Sequence, residues 1–188
     1  IWSAKADKQS KEKVEAKEKQ RYISDFKKTE QAISACFYCD ENKKVPQHLR
    51  IAMGDFTYLM IPERGQLVPY HCFIVANEHV VSYTTMEEQV WAEVDKFMIA
   101  LIKMFREMDM NAVFMETVLN IHGRTHTVME CLPLNKNDAP EAPIYFSKAL
   151  QEVESEWATH KKLIDTTGRG IRGSVPDQFS YFFVQFGA

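Results

Sequence analysis

The pattern of apolar and polar residues changes abruptly near position 36. Residues 5–33 contain no Gly or Pro and are rich in Lys, Glu, Ala and Gln, a composition that favours a helix. Apolar side chains are sparse there until Tyr22, Ile23 and Phe26. We therefore expect a largely solvated helical arm whose C-terminal part docks.

Five β-type runs follow the arm, and a long amphipathic helix lies between the third and the fourth. The runs cover residues 48–53, 56–62, 71–76, 113–119 and 126–132. Gly54-Asp55 predicts a tight turn between the first two runs. The helix is expected to begin at a capping box of Thr85 and Glu88 and to continue through Arg106. This order predicts an α+β domain, an antiparallel sheet with helices on one side.

The C-terminal part is predicted to form a second amphipathic helix over 145–162, with Leu150, Val153 and Trp157 on one side. A Gly-rich, loop-like tail follows and ends in the apolar run YFFVQFGA. Since the first residue is Ile1 and the last run has no partner after it, we expect both ends to be fragment ends.

Charge is unevenly distributed along the chain. The net charge is −3, but residues 1–34 carry nine Lys/Arg against six Asp/Glu, and the other 154 residues carry 14 against 20. Such a split indicates either an arm that contacts an acidic partner or a solvated helix. No apolar run approaches the ~18 residues of a membrane span, so we expect no membrane segment.

The four cysteines fall into two kinds. Cys36 and Cys39 form a C-x2-C pair in the run CFYC, whereas Cys72 and Cys131 lie in apolar runs and are expected to be buried thiols. This usage is typical of a reducing compartment, cytosol or nucleus, where a C-x2-C pair is a metal knuckle or a redox motif. The intervening Phe and Tyr and the position before a strand favour zinc.

A closed zinc site needs four ligands, so two histidines should join the cysteine pair. His122 and His126 have finger-like spacing, but that spacing assumes a helix where this sequence indicates a turn and a strand. His79 and His126 each lie at the end of a β-type run, where a side chain can reach a knuckle at the edge of the sheet. We prefer the second pair.

The run HTVMECLPL alternates from His126 and stops at Pro133. An extended strand sends alternate side chains to one face, so His126, Val128 and Glu130 should lie side by side.

Three runs together, CFYC, LVPYHCFIVANEHV and HTVMECLPL, resemble the histidine-triad fold in their order. That fold combines a C-x2-C knuckle, a GHxLIIPxxHV-like strand and H-x-H-x-H-x-x-P. The downstream run from APIYFSKALQ to FSYFFVQFG is similar to the second conserved module of the CwfJ family of splicing-associated proteins. The resemblance covers roughly residues 30–188. It implies a triad-like zinc domain over 35–134 and an incomplete second module over 135–188, after the charged helical arm that the composition predicts over 1–34.

The resemblance also implies roles for individual residues. The family's zinc ligands correspond to Cys36, Cys39, His79 and His126. The middle triad histidine of the enzymes is the nucleophile, and Val128 stands there without a lone pair. Glu130 adds a negative charge where a polyphosphate would lie. The repulsion between two unit charges ~4 Å apart is about 4 kcal/mol at an effective dielectric near 20. His71 matches the GH element, with Tyr70 in place of its usual Gly.

By this resemblance the chain is expected to be a non-catalytic splicing factor of the late, intron-lariat spliceosome in the nucleus. Its partners would be spliceosomal proteins, intron-lariat RNA and the lariat debranching enzyme. Candidate RNA contacts are the basic residues in and before the run GRGIRG, namely Lys161, Lys162, Arg169 and Arg172. The alternative is a nucleotide phosphohydrolase with another nucleophile, His71 or His122.

Overall fold

The computed structural model describes residues 2–119, 121, 124–152, 163–176 and 179–187, with side chains described from residue 13 onward. Contacts divide the chain into two units, residues 1–36 and 37–188. The first unit is the helix α1, Trp2–Ala35, which agrees with the predicted helical arm. Tyr22 and Phe26 of α1 are exposed. The docking expected of the C-terminal part of this helix stays a prediction.

The second unit is built on a six-stranded sheet in which every described pairing is antiparallel. Its strands are β1 (Arg50–Met53), β2 (Thr57–Met60), β3 (Cys72–Ala76), β4 (Met110–Val118), β5 (Met129–Asn135) and β6 (Tyr181–Gly187). Their order across the sheet is β1-β2-β3-β5-β4-β6. The predicted α+β fold with an antiparallel sheet is confirmed.

One face of the sheet is covered by α2, Glu88–Glu107. Leu59, Ile74 and Met129 lie opposite one another on β2, β3 and β5 and point to this face. They pack in the main core with the apolar stripe of α2, which includes Val94, Met98, Leu101 and Phe105. These four side chains recur at three- and four-residue spacing and form the core face of the predicted amphipathic helix.

The opposite face carries α3, Ala142–Glu152. The ring of Phe146 stacks on Phe182 of β6 at 6.1 Å between centroids and meets Phe186 edge-on at 5.8 Å. Phe183, between them in sequence, is buried in the core on the α2 side. Because β6 alternates apolar residues between its two faces, each face needs a cover. The prediction that helices lie on one side of the sheet is thus wrong.

The start of α2 differs from the predicted capping box. Glu87 occupies the cap position, but its side chain does not cap a backbone N–H of the helix. Thr85 instead ends a short 3-10 turn, Tyr83–Thr85, and its hydroxyl donates to the Ser82 carbonyl at 2.9 Å. The hydroxyl is therefore used by the preceding turn, and α2 begins two residues later than the capping box required.

Several element boundaries shift as well. β5 begins at Met129, so His126 precedes the strand instead of opening it. The predicted helix over 145–162 is described only as α3, and Val153 and Trp157 lie outside the described residues. β6, in the last of the three predicted parts, pairs with β4 from Val118↔Tyr181 to Ala112↔Gly187. The three-part division itself stays a prediction.

The β1–β2 hairpin is confirmed at Gly54, whose N–H donates to the Thr57 carbonyl at 2.7 Å. A carboxylate from α2 closes the turn, since Glu93 accepts the N–H groups of Asp55, Phe56 and Thr57 at 2.9, 2.8 and 2.6 Å. The Thr57 hydroxyl donates to the same carboxylate at 2.7 Å. A Cβ atom at Gly54 would lie 2.6 Å from this carboxyl group, so the close approach requires glycine.

Among the described helices, none has the length and apolar character that crossing a membrane would require.

Candidate metal centre

The cysteine knuckle is tied to the end of strand β3. Cys39 is 3% exposed and precedes a 3-10 turn, Asp40–Asn42. The Asp40 N–H donates to the Asn77 carbonyl at 2.9 Å, directly after β3. Because His79 follows Asn77 by two residues, this bond holds the cysteine pair close to His79, the first predicted histidine ligand.

The predicted histidines meet at the knuckle. The Sγ atom of Cys39 lies 3.3 Å from Nδ1 of His79 and 3.6 Å from Nδ1 of His126. The two imidazole rings are 5.1 Å apart between centroids. With Cys36, these residues form a group of four whose ligand atoms all lie within 4.8 Å of one another.

The donor set and its spacing suit zinc. Bonds of ~2.3 Å to thiolate and ~2.1 Å to imidazole in a tetrahedron place the ligand atoms about 3.6 Å apart. The two Cys39 distances, 3.3 and 3.6 Å, match this edge length. The arrangement can therefore hold zinc at a closed site, where four protein ligands leave no position for a reacting water.

The histidines are oriented for coordination through Nδ1. His79 donates from Nε2 to the Arg124 carbonyl at 2.8 Å, which leaves the lone pair on the Nδ1 that faces Cys39. Burial, followed by the nearby His79, lowers the pKa of His126 to about 3 against an opposing bond from the Ala76 backbone. His126 is therefore neutral at physiological pH, the form that binds metals.

The loops that carry His79 and His126 are joined by a backbone hydrogen bond. Thr127 N–H donates to the Val80 carbonyl at 2.7 Å, so each bonded residue is the immediate neighbour of a histidine. Sequence spacing gave no sign of this bond because the loops are far apart in the chain. The alternative ligand His122 lies outside the described residues.

The other two cysteines behave as predicted. Cys72 and Cys131 are 3% and 0% exposed, and they lie opposite each other on β3 and β5. None of the four cysteines, all of which lie within the described residues, forms a disulfide.

Val128 and Glu130, two of the three predicted triad positions, lie on the face of the sheet opposite α2. Val128 packs against a small cluster that includes Tyr58 and Val75. Glu130 lies opposite Phe73, another member of this cluster, in the β3–β5 register. Val128 and Glu130 thus share a face, as the alternation predicted.

Glu130 lies beside a buried histidine, a neighbour that the sequence did not reveal. Its Oε2 lies 3.5 Å from Nε2 of His71, a side chain that is 2% exposed. The Leu67 N–H donates to the other ring nitrogen of His71 at 3.3 Å, so the proton of the neutral ring is on the nitrogen that faces Glu130. Burial lowers the pKa of His71 and raises the pKa of Glu130.

Tyr70, which replaces the Gly of the GH element, adopts a left-handed backbone with φ of 65°. The conformation that suits glycine is thus present, and the Cβ atom of the exposed Tyr70 makes it a strained one.

The candidate RNA-binding residues are only partly described. Lys161 and Lys162 lie outside the described residues. Arg169 is exposed on the glycine-rich loop, and the buried Ile171 anchors this loop in the core. Arg172 is bound by a carboxylate, with Nη1 2.6 Å from Oε2 of Glu88.

The sequence places the chain among known proteins. A family described as "Protein similar to CwfJ C-terminal" matches residues 23–147, which is more than half of the chain. The chain belongs to the CwfJ C-terminal family. Within this family the match starts inside α1 and ends inside α3, so it includes the whole candidate metal centre.

Two relatives illustrate the extent of the CwfJ similarity. CWF19-like protein 2 of Mus musculus is 38% identical over 98% of this chain, and pre-mRNA-splicing factor cwf19 of Schizosaccharomyces pombe is 32% identical over 86%. The chain spans 21% and 26% of these relatives. A histidine triad protein from Clostridium difficile aligns structurally over 54% of this chain and 91% of its own, at 18% identity and a TM-score of 0.41.

Proposed function

We propose that this chain is a non-catalytic, zinc-stabilised module of a nuclear pre-mRNA splicing factor. The observation that carries the proposal is its similarity to CwfJ proteins, one of which is named pre-mRNA-splicing factor cwf19. The Cys2His2 group supports the zinc part, with Cys36, Cys39, His79 and His126 as ligands. Zinc here is a structural ion that joins the knuckle to two loops of the sheet unit.

The triad face supports a role without catalysis. Val128 has no lone pair with which to attack phosphorus. Glu130 keeps a carboxyl group on the same face, and His71 beside it is buried. A phosphohydrolase that uses His71 would need this ring to reach a substrate, which 2% exposure disfavours. The face is therefore an architectural remnant of the triad arrangement.

Contact with intron-lariat RNA is the finer part of the proposal. Arg169 is exposed on a loop whose flanking glycines, Gly168 and Gly170, adopt φ of 82° and 68°. These left-handed residues let the backbone turn tightly while Ile171 anchors it. An arginine on such a loop suits a phosphate contact, with Arg172, Lys161 and Lys162 as further candidates.

Few basic contacts give weak RNA binding alone, so protein partners must supply much of the affinity. We assign this role to spliceosomal proteins and the lariat debranching enzyme. The charged arm, with nine Lys/Arg against six Asp/Glu, is a candidate interaction helix for them.

Crosslinking in nuclear extract tests the proposal directly. The protein that contains this chain, tagged and crosslinked during splicing, should enrich excised intron lariats and late-splicing proteins over spliced exons. A matched protein in which Arg169 is replaced by Ala should recover less lariat RNA while its protein neighbours are retained. Absence of any enrichment for intron RNA or late-splicing proteins would refute the splicing role.

A further inference from the structure

A carboxylate is fully buried on the α2 side of the sheet, at Glu116 in β4. An acidic group in such a place must be satisfied by hydrogen bonds. Thr127 Oγ1 and the Tyr83 N–H donate to its Oε1 at 2.7 and 2.9 Å. The Tyr181 hydroxyl donates to its Oε2 at 2.5 Å.

The three donors come from separate segments of the chain, and two of these segments carry metal ligands. Thr127 directly follows His126. Tyr83 lies four residues after His79, at the turn in which that loop ends. Both donors share one oxygen of Glu116, so this atom fixes the distance between the two loops.

The third donor brings in the C-terminal strand. Tyr181 opens β6, and its hydroxyl also lies 2.8 Å from Ser82 Oγ, in the loop that carries His79. Glu116 and Tyr181 are 65 residues apart in sequence. The same network thus joins β4, β6 and the loops of both histidines.

We propose that Glu116 is a positioning residue of the metal centre, which holds the His79 and His126 loops at the separation that coordination requires. This inference rests on the proposed zinc site. Glu116 acts through Thr127 and Tyr83, whose loops also share the bond from Thr127 N–H to the Val80 carbonyl. Tyr181 completes the network, so the C-terminal strand contributes to metal affinity.

The physical reason is preorganisation. The segment 125–128 has no regular secondary structure, so the position of His126 is not fixed by the hydrogen bonds of a β-ladder. Groups that hydrogen-bond directly to metal ligands typically contribute about 10–100-fold to affinity. Glu116 bonds residues near the ligands instead, so we expect its contribution at the lower end of that range. Glu116→Gln keeps one acceptor oxygen and replaces the other with an NH2 group. Whichever oxygen is replaced, the NH2 group faces a hydroxyl that donates in the wild type, that of Thr127 or that of Tyr181.

The test measures metal binding to the 188-residue chain. Zn²⁺ affinity is obtained by competition with a chelator, and the geometry is read from the visible spectrum of bound Co²⁺. Glu116→Gln and the near-isosteric Thr127→Val are compared with Glu93→Gln. Glu93 is the matched control because it also accepts several hydrogen bonds, but to the β1–β2 turn.

Glu116→Gln should weaken Zn²⁺ affinity at least about tenfold and alter the Co²⁺ spectrum, and Thr127→Val should do so more mildly. Glu93→Gln should leave both unchanged. Wild-type affinity and spectrum in Glu116→Gln would overturn the inference and leave the metal centre standing. If Glu116→Gln does not fold, an unchanged Thr127→Val overturns the inference instead. A wild-type chain that binds neither metal would reject both the metal centre and its positioning residue.

Discussion

The Sγ atom of Cys39 lies 3.3 Å from Nδ1 of His79, although 40 residues separate them in the chain. His126, 87 residues from Cys39, comes within 3.6 Å of the same sulfur. Cys39 and His126 are buried, and His79 is partly buried. A cation that binds all of them converts the cluster into a cross-link between distant segments.

We therefore expect metal removal to destabilise the sheet unit. Structural zinc contributes about 10–16 kcal/mol in small modules, comparable with a whole domain's stability of ~5–15 kcal/mol. Cys39→Ser, His126→Ala or a chelator should strongly lower the melting temperature and release about one zinc per chain. His48→Ala, an exposed histidine outside the cluster, is the control and should change neither quantity. A zinc-free double variant with an unchanged melting curve would contradict the structural role.

The second prediction concerns catalysis at the triad face. Because Val128, at the position that the resemblance assigns to the nucleophile, has no lone pair, the purified chain should not turn over dinucleotide or capped substrates above the rate of the buffer. The measurement is product formation over hours at high enzyme concentration. Turnover that disappears in His71→Ala and persists in Val128→Ala would instead revive the phosphohydrolase alternative.

A third prediction follows from the close approach of Glu93 to Gly54. Gly54→Ala should cost about 1–3 kcal/mol of unfolding free energy, since the new methyl group displaces the carboxylate from the turn. The loss should be smaller in a Glu93→Ala background, where this contact no longer exists. Denaturant unfolding of the four proteins forms a double-mutant cycle. Equal losses in both backgrounds would show that the contact has no energetic effect.

The acid stability of the hairpin gives a fourth prediction. Burial raises the pKa of Glu93, but hydrogen bonds from the Thr57 hydroxyl and three backbone N–H groups outweigh it, so the pKa lies below the usual value of 4.5. The folded state therefore binds this proton less readily than the unfolded state. The stabilisation is present above pH 4.5 and is lost as the pH falls through the lower folded pKa. The stability difference between wild type and Glu93→Gln should shrink accordingly, and a difference that grows in acid would exclude this.

The fifth prediction separates the two arginines of the glycine-rich loop. Arg169→Ala should weaken binding of single-stranded intron RNA and reduce the salt dependence by about 0.7 in the log–log slope. Glu88→Gln should strengthen binding, because it releases Arg172 from its ion pair. Lys136→Ala is a control at the other end of α2, where Lys136 pairs with Asp109. Equal effects of Arg169→Ala and Lys136→Ala would indicate general electrostatics instead of a local site.

Much of the candidate site was predictable because its signals are local. The C-x2-C pair and the histidines at the ends of β-type runs indicated a zinc set, and the structure brings those residues together. The partners of Glu130 and Glu116 were not predictable. The sequence alone does not show whether a carboxylate faces solvent, a histidine or a tyrosine 65 residues away. The failed capping box at Thr85 has a similar cause, since the hydroxyl found a nearer acceptor in the preceding turn.

The sequence by itself determined the elements of the fold: the helical arm, the hairpin at Gly54, the amphipathic α2 and the alternating run that ends in β5. Periodicity and turn preferences depend on residues that are close in sequence, so short stretches of the chain are enough to recognise them. Only the tertiary structure decided that β5 lies between β3 and β4, that β6 pairs with β4 and that α3 covers the face opposite α2. Those choices depend on burying two faces of one sheet at once, a condition that joins residues far apart in sequence.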